Sequence, residues 1–305
     1  MSERSRLLLA KVLLYPQPLR VVLARRLLGW GGLRFPVRLP LKLPFSARVE
    51  LGLVERIDYS RCLWQGAIRA RQMGLERISA LEFGVAGGNG LVALEEIAEE
   101  ITKELDVSID IYGFDSGLGL PSPKDHRDMP YQWAEGFFRM DRTRLESRLT
   151  CARLVLGDVA ETASTFIGTV QPAPIGAVLF DLDYHSSTAA ALAIFDGPSE
   201  AFLPRIPCYF DDIYVSSQYM GVLLAIEEFN VAHPERKLVS AYGAAAPVTT
   251  GFGSLVARPS RVFEYHDFGH PRYAERLVND DQLPLADRAT HAGPPFQRRR
   301  RRRRA

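Results

Sequence analysis

The sequence predicts an α/β protein built on a doubly wound, mostly parallel sheet with helices on both faces. Three observations lead there. Seven short apolar segments alternate with helix-like ones, the pattern of consecutive βα units. A glycine-rich turn joins the first of these strands directly to a helix. Several strands then run into acidic residues, at the end of the sheet where open α/β folds bind ligands.

The chain begins with a basic, apolar arm, residues 1–46. Ten Lys/Arg face Glu3 alone over residues 1–49, a net +9. Pro16 and Pro18 divide 5–33 into two short helical pieces, and Pro36, Pro40 and Pro44 mark an extended linker. The globular body is expected over 47–280, followed by a disordered basic tail, 281–305, that contains Arg298 to Arg304. Residues 50–297 hold 21 Lys/Arg and 35 Asp/Glu, a net −14, so the overall charge of +2 is a near cancellation between an acidic body and two basic ends. No run of 18 apolar residues predicts a membrane span, and no cleavage site follows Leu7 to Leu14. Cys62, Cys151 and Cys208 lie far apart without metal-ligand spacing, which predicts buried thiols in a reducing cytoplasm.

Within the body, strands are expected at Ile78–Val85, Val107–Phe114, Ala152–Leu156, Gly176–Asp183, Ile206–Asp211, Lys237–Ala241 and Phe252–Ala257. Leu91–Leu105 predicts the clearest helix, with apolar residues at 91, 94, 97, 98, 101 and 105 and a charged opposite face. Further helices are expected over Ser187–Phe195, capped by Ser186 or Ser187, and over Met220–Phe229.

The first strand runs into Glu82-Phe83-Gly84-Val85-Ala86-Gly87-Gly88-Asn89-Gly90 and then the helix. Glycines let a ligand approach the backbone, and the helix start adds free N–H groups. Gly88-x-Gly90-x-x-Ala93 matches a dinucleotide fingerprint. Glu82 points elsewhere, because an acid just before the loop suits a positively charged ligand such as S-adenosylmethionine. The second strand runs into Asp115, placed to accept ribose hydroxyls of either ligand. Asp158, after the third strand, is placed to flank an adenine or to form a turn.

The fourth strand leads into Asp181-Leu182-Asp183-Tyr184-His185 and the fifth into Asp211-Asp212. Residues i and i+2 of a strand share a face, so Asp181 and Asp183 are expected to project together, unless the strand stops between them. Adjacent strands lie about 4.8 Å apart, which would gather four carboxylates that disfavour joint ionisation. An oxygen-only set suggests Mg²⁺, or another divalent cation. Such an ion would lower the pKa of a bound hydroxyl. His185 is a candidate general base beside it.

At these motifs the chain resembles the class I S-adenosylmethionine-dependent methyltransferases, most of all the metal-dependent macrocin-type sugar O-methyltransferases. The matching pieces are "EFGVAGGNG" (82–90), "YGFDSGLGLP" (112–121), "GDVAET" (157–162), "DLDYHSST" (181–188) and "DDIY" (211–214). The resemblance implies a Rossmann-like seven-stranded sheet with an antiparallel last strand. It implies cofactor contacts from Glu82, Gly84, Gly87, Gly88, Asn89, Gly90, Asp115 and Ser116. It also implies metal ligands in Asp181 or Asp183, with Asp211 and Asp212. Asp181, Asp183 and His185 are the candidate catalytic residues on the reading of the residues themselves. The chain departs from the sugar-modifying group at Ser186, where an acid is usual. It departs again at Pro204-Arg205-Ile206-Pro207, where a Gly-Gly turn is usual. The expected acceptor is therefore a small-molecule hydroxyl on a sugar or an aromatic natural product.

Residues 116–150 form a long insert carrying Tyr131, Trp133, Phe137 and Phe138, as a lid over such a site would. Local packing of a surface loop explains the same pattern. No aromatic interleaving accompanies the terminal arginines, so no specific nucleic acid is expected. The N-terminal arm is read as packing within a homo-oligomer, with membrane-surface contact or cover over the site as alternatives. Two other functions stay open: an NAD-dependent oxidoreductase and a non-catalytic binding protein on the same fold.

Overall fold

A computed structural model describes residues 43–241, 247–249, 255–257 and 261–276. The arm up to residue 42, the tail with Arg298 to Arg304, and residues 252–254 of the last expected strand lie outside the described residues. The chain divides into a compact unit, Met1–Ala274, and a second, Glu275–Ala305. The described secondary structure and the candidate site belong to the first.

The described elements in chain order are α1 (Phe45–Glu50), α2 (Ile57–Gln72), β1 (Arg77–Phe83), α3 (Asn89–Leu105), β2 (Ser108–Asp115), α4 (Arg142–Glu146), β3 (Arg153–Leu156) and α5 (Val159–Val170). They continue with β4 (Ile175–Phe180), α6 (His185–Leu192), β5 (Arg205–Phe210), α7 (Gly221–Ala232), β6 (Arg236–Ser240), β7 (Pro247–Thr249), β8 (Leu255–Ala257) and β9 (Val262–Asp267). The main sheet has seven strands in the order β3-β2-β1-β4-β5-β9-β6. β1 to β5 pair in parallel, and β9 runs antiparallel to both β5 and β6. This is the Rossmann-like, doubly wound sheet with an antiparallel last strand that the sequence predicts. The winding direction reverses between β1 and β4, which opens a crevice at their carboxyl ends.

Four phenylalanines form the floor of that crevice. Phe114, Phe83, Phe180 and Phe210 stack across β2, β1, β4 and β5, with ring centroids 4.4, 5.3 and 4.6 Å apart. Register explains the ladder: Phe83 pairs with Phe114 and with Phe180, and Phe180 pairs with Phe210. All four are essentially inaccessible to solvent. Each is followed by a residue of the candidate site: Gly84, Asp115, Asp181 or Asp211. The apolar ladder therefore sets the height of the site and removes water from beneath the acids. Phe180→Ala deletes the central ring and is expected to destabilise the protein by about 3–5 kcal/mol. Urea unfolding followed by circular dichroism measures this.

Helices cover the sheet in two groups. α2 packs against α3, β4 and β5, whereas α6 packs between α5 and α7. The sequence reading does not anticipate α2, although its Tyr59, Cys62, Leu63, Ala67 and Ala70 form a buried stripe. It proves central to the site.

The structure corrects four expectations. The seventh strand is β9, whereas Leu255–Ala257 pairs with Pro247–Thr249 in a separate two-stranded sheet. β9 is hard to see as a strand because Glu264, His266 and Asp267 interrupt its apolar residues. Neighbours satisfy these polar groups: Arg69 pairs with Glu264 at 2.7 Å, and Ser199 donates to the buried Asp267 at 2.7 Å. β4 stops at Phe180, so the alternation of a strand does not apply to Asp181 and Asp183. The cap of α6 is Tyr184, without a side-chain cap bond, and Ser186 lies inside the helix. Cys151 is exposed, whereas Cys62 and Cys208 are buried, and all three are free. Among the described residues, no helix is long and apolar enough to cross a membrane.

Candidate active site at the carboxyl ends of the central strands

Two groups of acids meet at the crevice. The first lies under the glycine loop. Glu82 points into the protein and is 1 % exposed. Its Oε1 accepts a hydrogen bond of 2.8 Å from the Tyr59 hydroxyl, while Oε2 is buried and has no hydrogen-bond partner among the described residues. Burial pushes this carboxyl up to about 8, against the lowering effect of the Tyr59 bond and with a further raising contribution from Asp181. Two glycines make the arrangement possible. A Cβ on Gly90 would come within 1.9 Å of Glu82 Oε1. Gly84 has φ of +87°, and a Cβ there would come within 2.0 Å of the Asp181 carbonyl. Among the described residues, nothing lies within 4 Å of the Cβ position of Gly87.

Asp115 fastens the loop. Its Oδ2 accepts from the N–H groups of Val85 and Ala86, both at 2.9 Å, and Oδ1 accepts from Gly117 at 2.6 Å. Its role in the structure is therefore to link the ends of β1 and β2. Arg148 of the insert clasps the loop from outside, donating to Gly87 O at 2.9 Å and Asn89 Oδ1 at 2.8 Å. Gly88 is the N-cap of α3. Ser116 and Asp158 have local partners. Ser116 closes a turn to Gly119, and Asp158 caps α5 through the Ala160 N–H at 2.8 Å.

The second group stands beyond β4 and β5. Asp181, Asp211 and Asp212 each place a carboxylate oxygen within 4.8 Å of the others. Burial, followed by the charges of Asp211 and Asp183, pushes the Asp181 carboxyl up to about 7. Burial with Asp183, Asp211 and Asp181 pushes Asp212 up to about 8. Asp183 is raised to about 6, mainly by burial, and lies outside the three-residue set while still feeling Asp211. Arg261 donates to Asp211 at 2.9 Å and packs over the Tyr214 ring, and Tyr209 also donates to Asp211. Several anions thus share few cations, an arrangement that a divalent cation would relieve.

His185 does not join the acids through its Nε2, which pairs instead with Glu228 of α7 at 2.7 Å. Arg127 approaches the same Glu228 at 3.5 Å. The insert is fixed to α6 by Asp128, which is 1 % exposed. Its carboxylate accepts from the Lys124 N–H, the Ser186 N–H and the Ser186 hydroxyl, each at 2.8 Å. Asp128→Ala is expected to free the insert and to raise its tryptic cleavage rate at Arg127, Arg139 and Arg142 at least tenfold. The N-terminal sequences of the fragments would identify the cuts. Of the insert's aromatics, Tyr131, Phe137 and Phe138 are exposed, and Phe138 packs edge-on with both Trp133 and Phe137.

Sequence reasoning missed Tyr59, Asp128, Arg148 and Arg261. Their signals in the chain are weak: an amphipathic pattern over 57–72, and a lone arginine just before β9. Each reaches the site through a partner far away in the chain: Glu82, Ser186, the glycine loop and Asp211 respectively.

No protein-family model and no curated relative matches the chain. Solved structures similar to it include the calicheamicin methyltransferase CalS11, at 18% identity over 87% of this chain and 93% of that one, with a TM-score of 0.48. Another is MycE methyltransferase of the mycinamycin biosynthetic pathway, in complex with Mg, SAH and mycinamycin VI. It shows 13% identity over 94% of this chain and 66% of that one, with a TM-score of 0.38. A third is cofactor-bound Rv0187 from MTB, at 15% identity over 83% and 98%, with a TM-score of 0.38.

Proposed function

We propose that this protein is an S-adenosylmethionine-dependent O-methyltransferase, assisted by a divalent cation, that modifies a hydroxyl on a small-molecule acceptor. The observation that carries this reading is the buried Glu82, with one oxygen unpartnered under the glycine loop, next to the Asp181, Asp211 and Asp212 cluster.

The residues fit both groups. A buried carboxyl with one oxygen unpartnered suits a ligand with a positive charge, and no described atom crowds the Cβ side of Gly87. Three carboxylates with oxygens this close suit a hard cation such as Mg²⁺. When bound, the cofactor supplies an electrophilic methyl group and the cation acidifies an acceptor hydroxyl. The protein's own contribution is positional and electrostatic. Glu82 sets the cofactor end, Asp115 holds the loop shape, and the three aspartates place the acceptor end. The exposed aromatics of the insert offer flat apolar surface to a sugar or aromatic acceptor.

Calorimetric titration with S-adenosylmethionine tests the reading. Binding in the micromolar range is expected, whereas no heat at millimolar ligand, with or without Mg²⁺, overturns it. Titration with NAD tests the oxidoreductase alternative, for which Glu82 is a poor host. The reading also proposes a cytoplasmic homo-oligomer, which sedimentation of the full chain checks for its oligomeric part.

A further inference from the structure

We propose that Tyr59 is a positioning residue for cofactor recognition: it orients Glu82 so that the unpartnered oxygen meets the cationic end of the ligand. The inference rests on the reading of the site as one for S-adenosylmethionine.

Three features support it. The place of Tyr59 is set independently of Glu82. The residue lies in the first turn of α2, is 2 % exposed, and meets the Tyr209 ring of β5 edge-on at 5.1 Å between centroids. The Arg56 guanidinium lies over the Tyr59 ring, 4.9 Å from its centroid. A ring held in this way presents its hydroxyl as a preorganised donor.

Glu82 is also held in one orientation. Oε1 is fixed between the Tyr59 hydroxyl and the Cα of Gly90, where any Cβ would collide with Oε1 and stand 3.0 Å from the hydroxyl. A carboxylate held through one oxygen has little freedom to turn, so the direction of Oε2 is determined.

Lastly, Oε2 is buried and unsatisfied among the described residues, a condition that destabilises a folded protein. A structural buried acid would gain by bonding through both oxygens. Leaving one free is sensible where a ligand completes the pair. A cationic ligand gains a charge-assisted bond there, whereas a neutral ligand leaves the defect in place. Tyr59 thus converts a buried acid into a selector for charge.

The test compares S-adenosylmethionine, which carries an ammonium and a sulfonium, with 5′-methylthioadenosine, which carries neither and shares the nucleoside. Calorimetry on the full chain measures both dissociation constants. In Tyr59→Phe, affinity for S-adenosylmethionine is expected to fall tenfold or more while that for methylthioadenosine changes less than twofold. Glu82→Gln, which keeps the shape of the side chain, is expected to lose the same preference even if Tyr59→Phe folds poorly. The double variant is expected to lose no more than Glu82→Gln alone, since Tyr59 acts through Glu82. Equal weakening of both ligands in Tyr59→Phe, or additive losses in the double variant, overturns the proposal. If the wild-type protein binds neither ligand, the methyltransferase reading fails first.

Discussion

In metal-free buffer, the unfolding midpoint of this protein is expected to fall as the pH rises from about 4 to about 8, and millimolar Mg²⁺ is expected to restore it. The main cause is the cluster beyond β4 and β5, and the buried Glu82, also raised to about 8, adds to it. Folding raises the carboxyls of Asp183, Asp181 and Asp212 to about 6, 7 and 8, mainly through burial and mutual repulsion. Between the ordinary value of 3.8 and those raised values, the folded chain binds more protons than the unfolded one. Stability is therefore full near pH 4, declines as each group is forced to ionise, and levels off above about pH 8. Each pKa unit corresponds to about 1.4 kcal/mol. With repulsion shared among the acids, a loss of a few kcal/mol, on the order of 5–10 °C, is expected. A bound cation reverses the sign, because ionised carboxylates then gain a partner. Asp212→Asn probes both effects: it should make the metal-free pH profile shallower and weaken Mg²⁺ stabilisation by tenfold or more in ion concentration. Scanning fluorimetry at pH 5 and pH 8, with chelator or Mg²⁺, provides the measurement. A midpoint that rises between these pH values without metal would refute an origin in the raised carboxyls.

Binding of S-adenosylmethionine at pH 7 is expected to release up to one proton. Glu82, held at about 8 chiefly by burial, is mostly protonated at pH 7 in the free protein. A cation at Oε2 stabilises the carboxylate and lowers that pKa, so the proton leaves as the ligand enters. Affinity should rise with pH through 7 and level off above about pH 8, where no proton remains to be displaced. Titrations in phosphate and in Tris, whose ionisation heats differ, report the number of protons released. In Glu82→Gln the difference between buffers should vanish. Equal heats in both buffers with the wild-type protein would show that Glu82 does not change its protonation on binding.

Much of the sheet was legible because the buried parallel strands are short apolar runs, and a buried strand has little else to be. Ile78–Val85 and Val107–Phe114 differ from the observed β1 and β2 by no more than two residues at either end. β9 escaped notice because its polar residues find partners supplied by α2 and by the segment before β5. Half of the site was equally plain. Glu82, the glycines, Asp181, Asp211 and Asp212 all sit at strand ends, where the chain itself marks the place. The repeated phenylalanine before Asp115, Asp181 and Asp211 was also present in the sequence. Only register reveals that these rings form one ladder.

Periodicity and neighbouring residues are enough for the fold class, for the end of the sheet at which the acids collect and for the resemblance that names a chemistry. Tertiary structure alone decided how the acids are used. It placed Asp181, Asp211 and Asp212 together, left Asp183 outside their closest set and gave His185 to Glu228. It also brought Tyr59 from the helix before β1 onto Glu82. The reason is physical: the state of a carboxyl depends on burial and on the groups within a few ångströms, and those groups come from opposite ends of the chain.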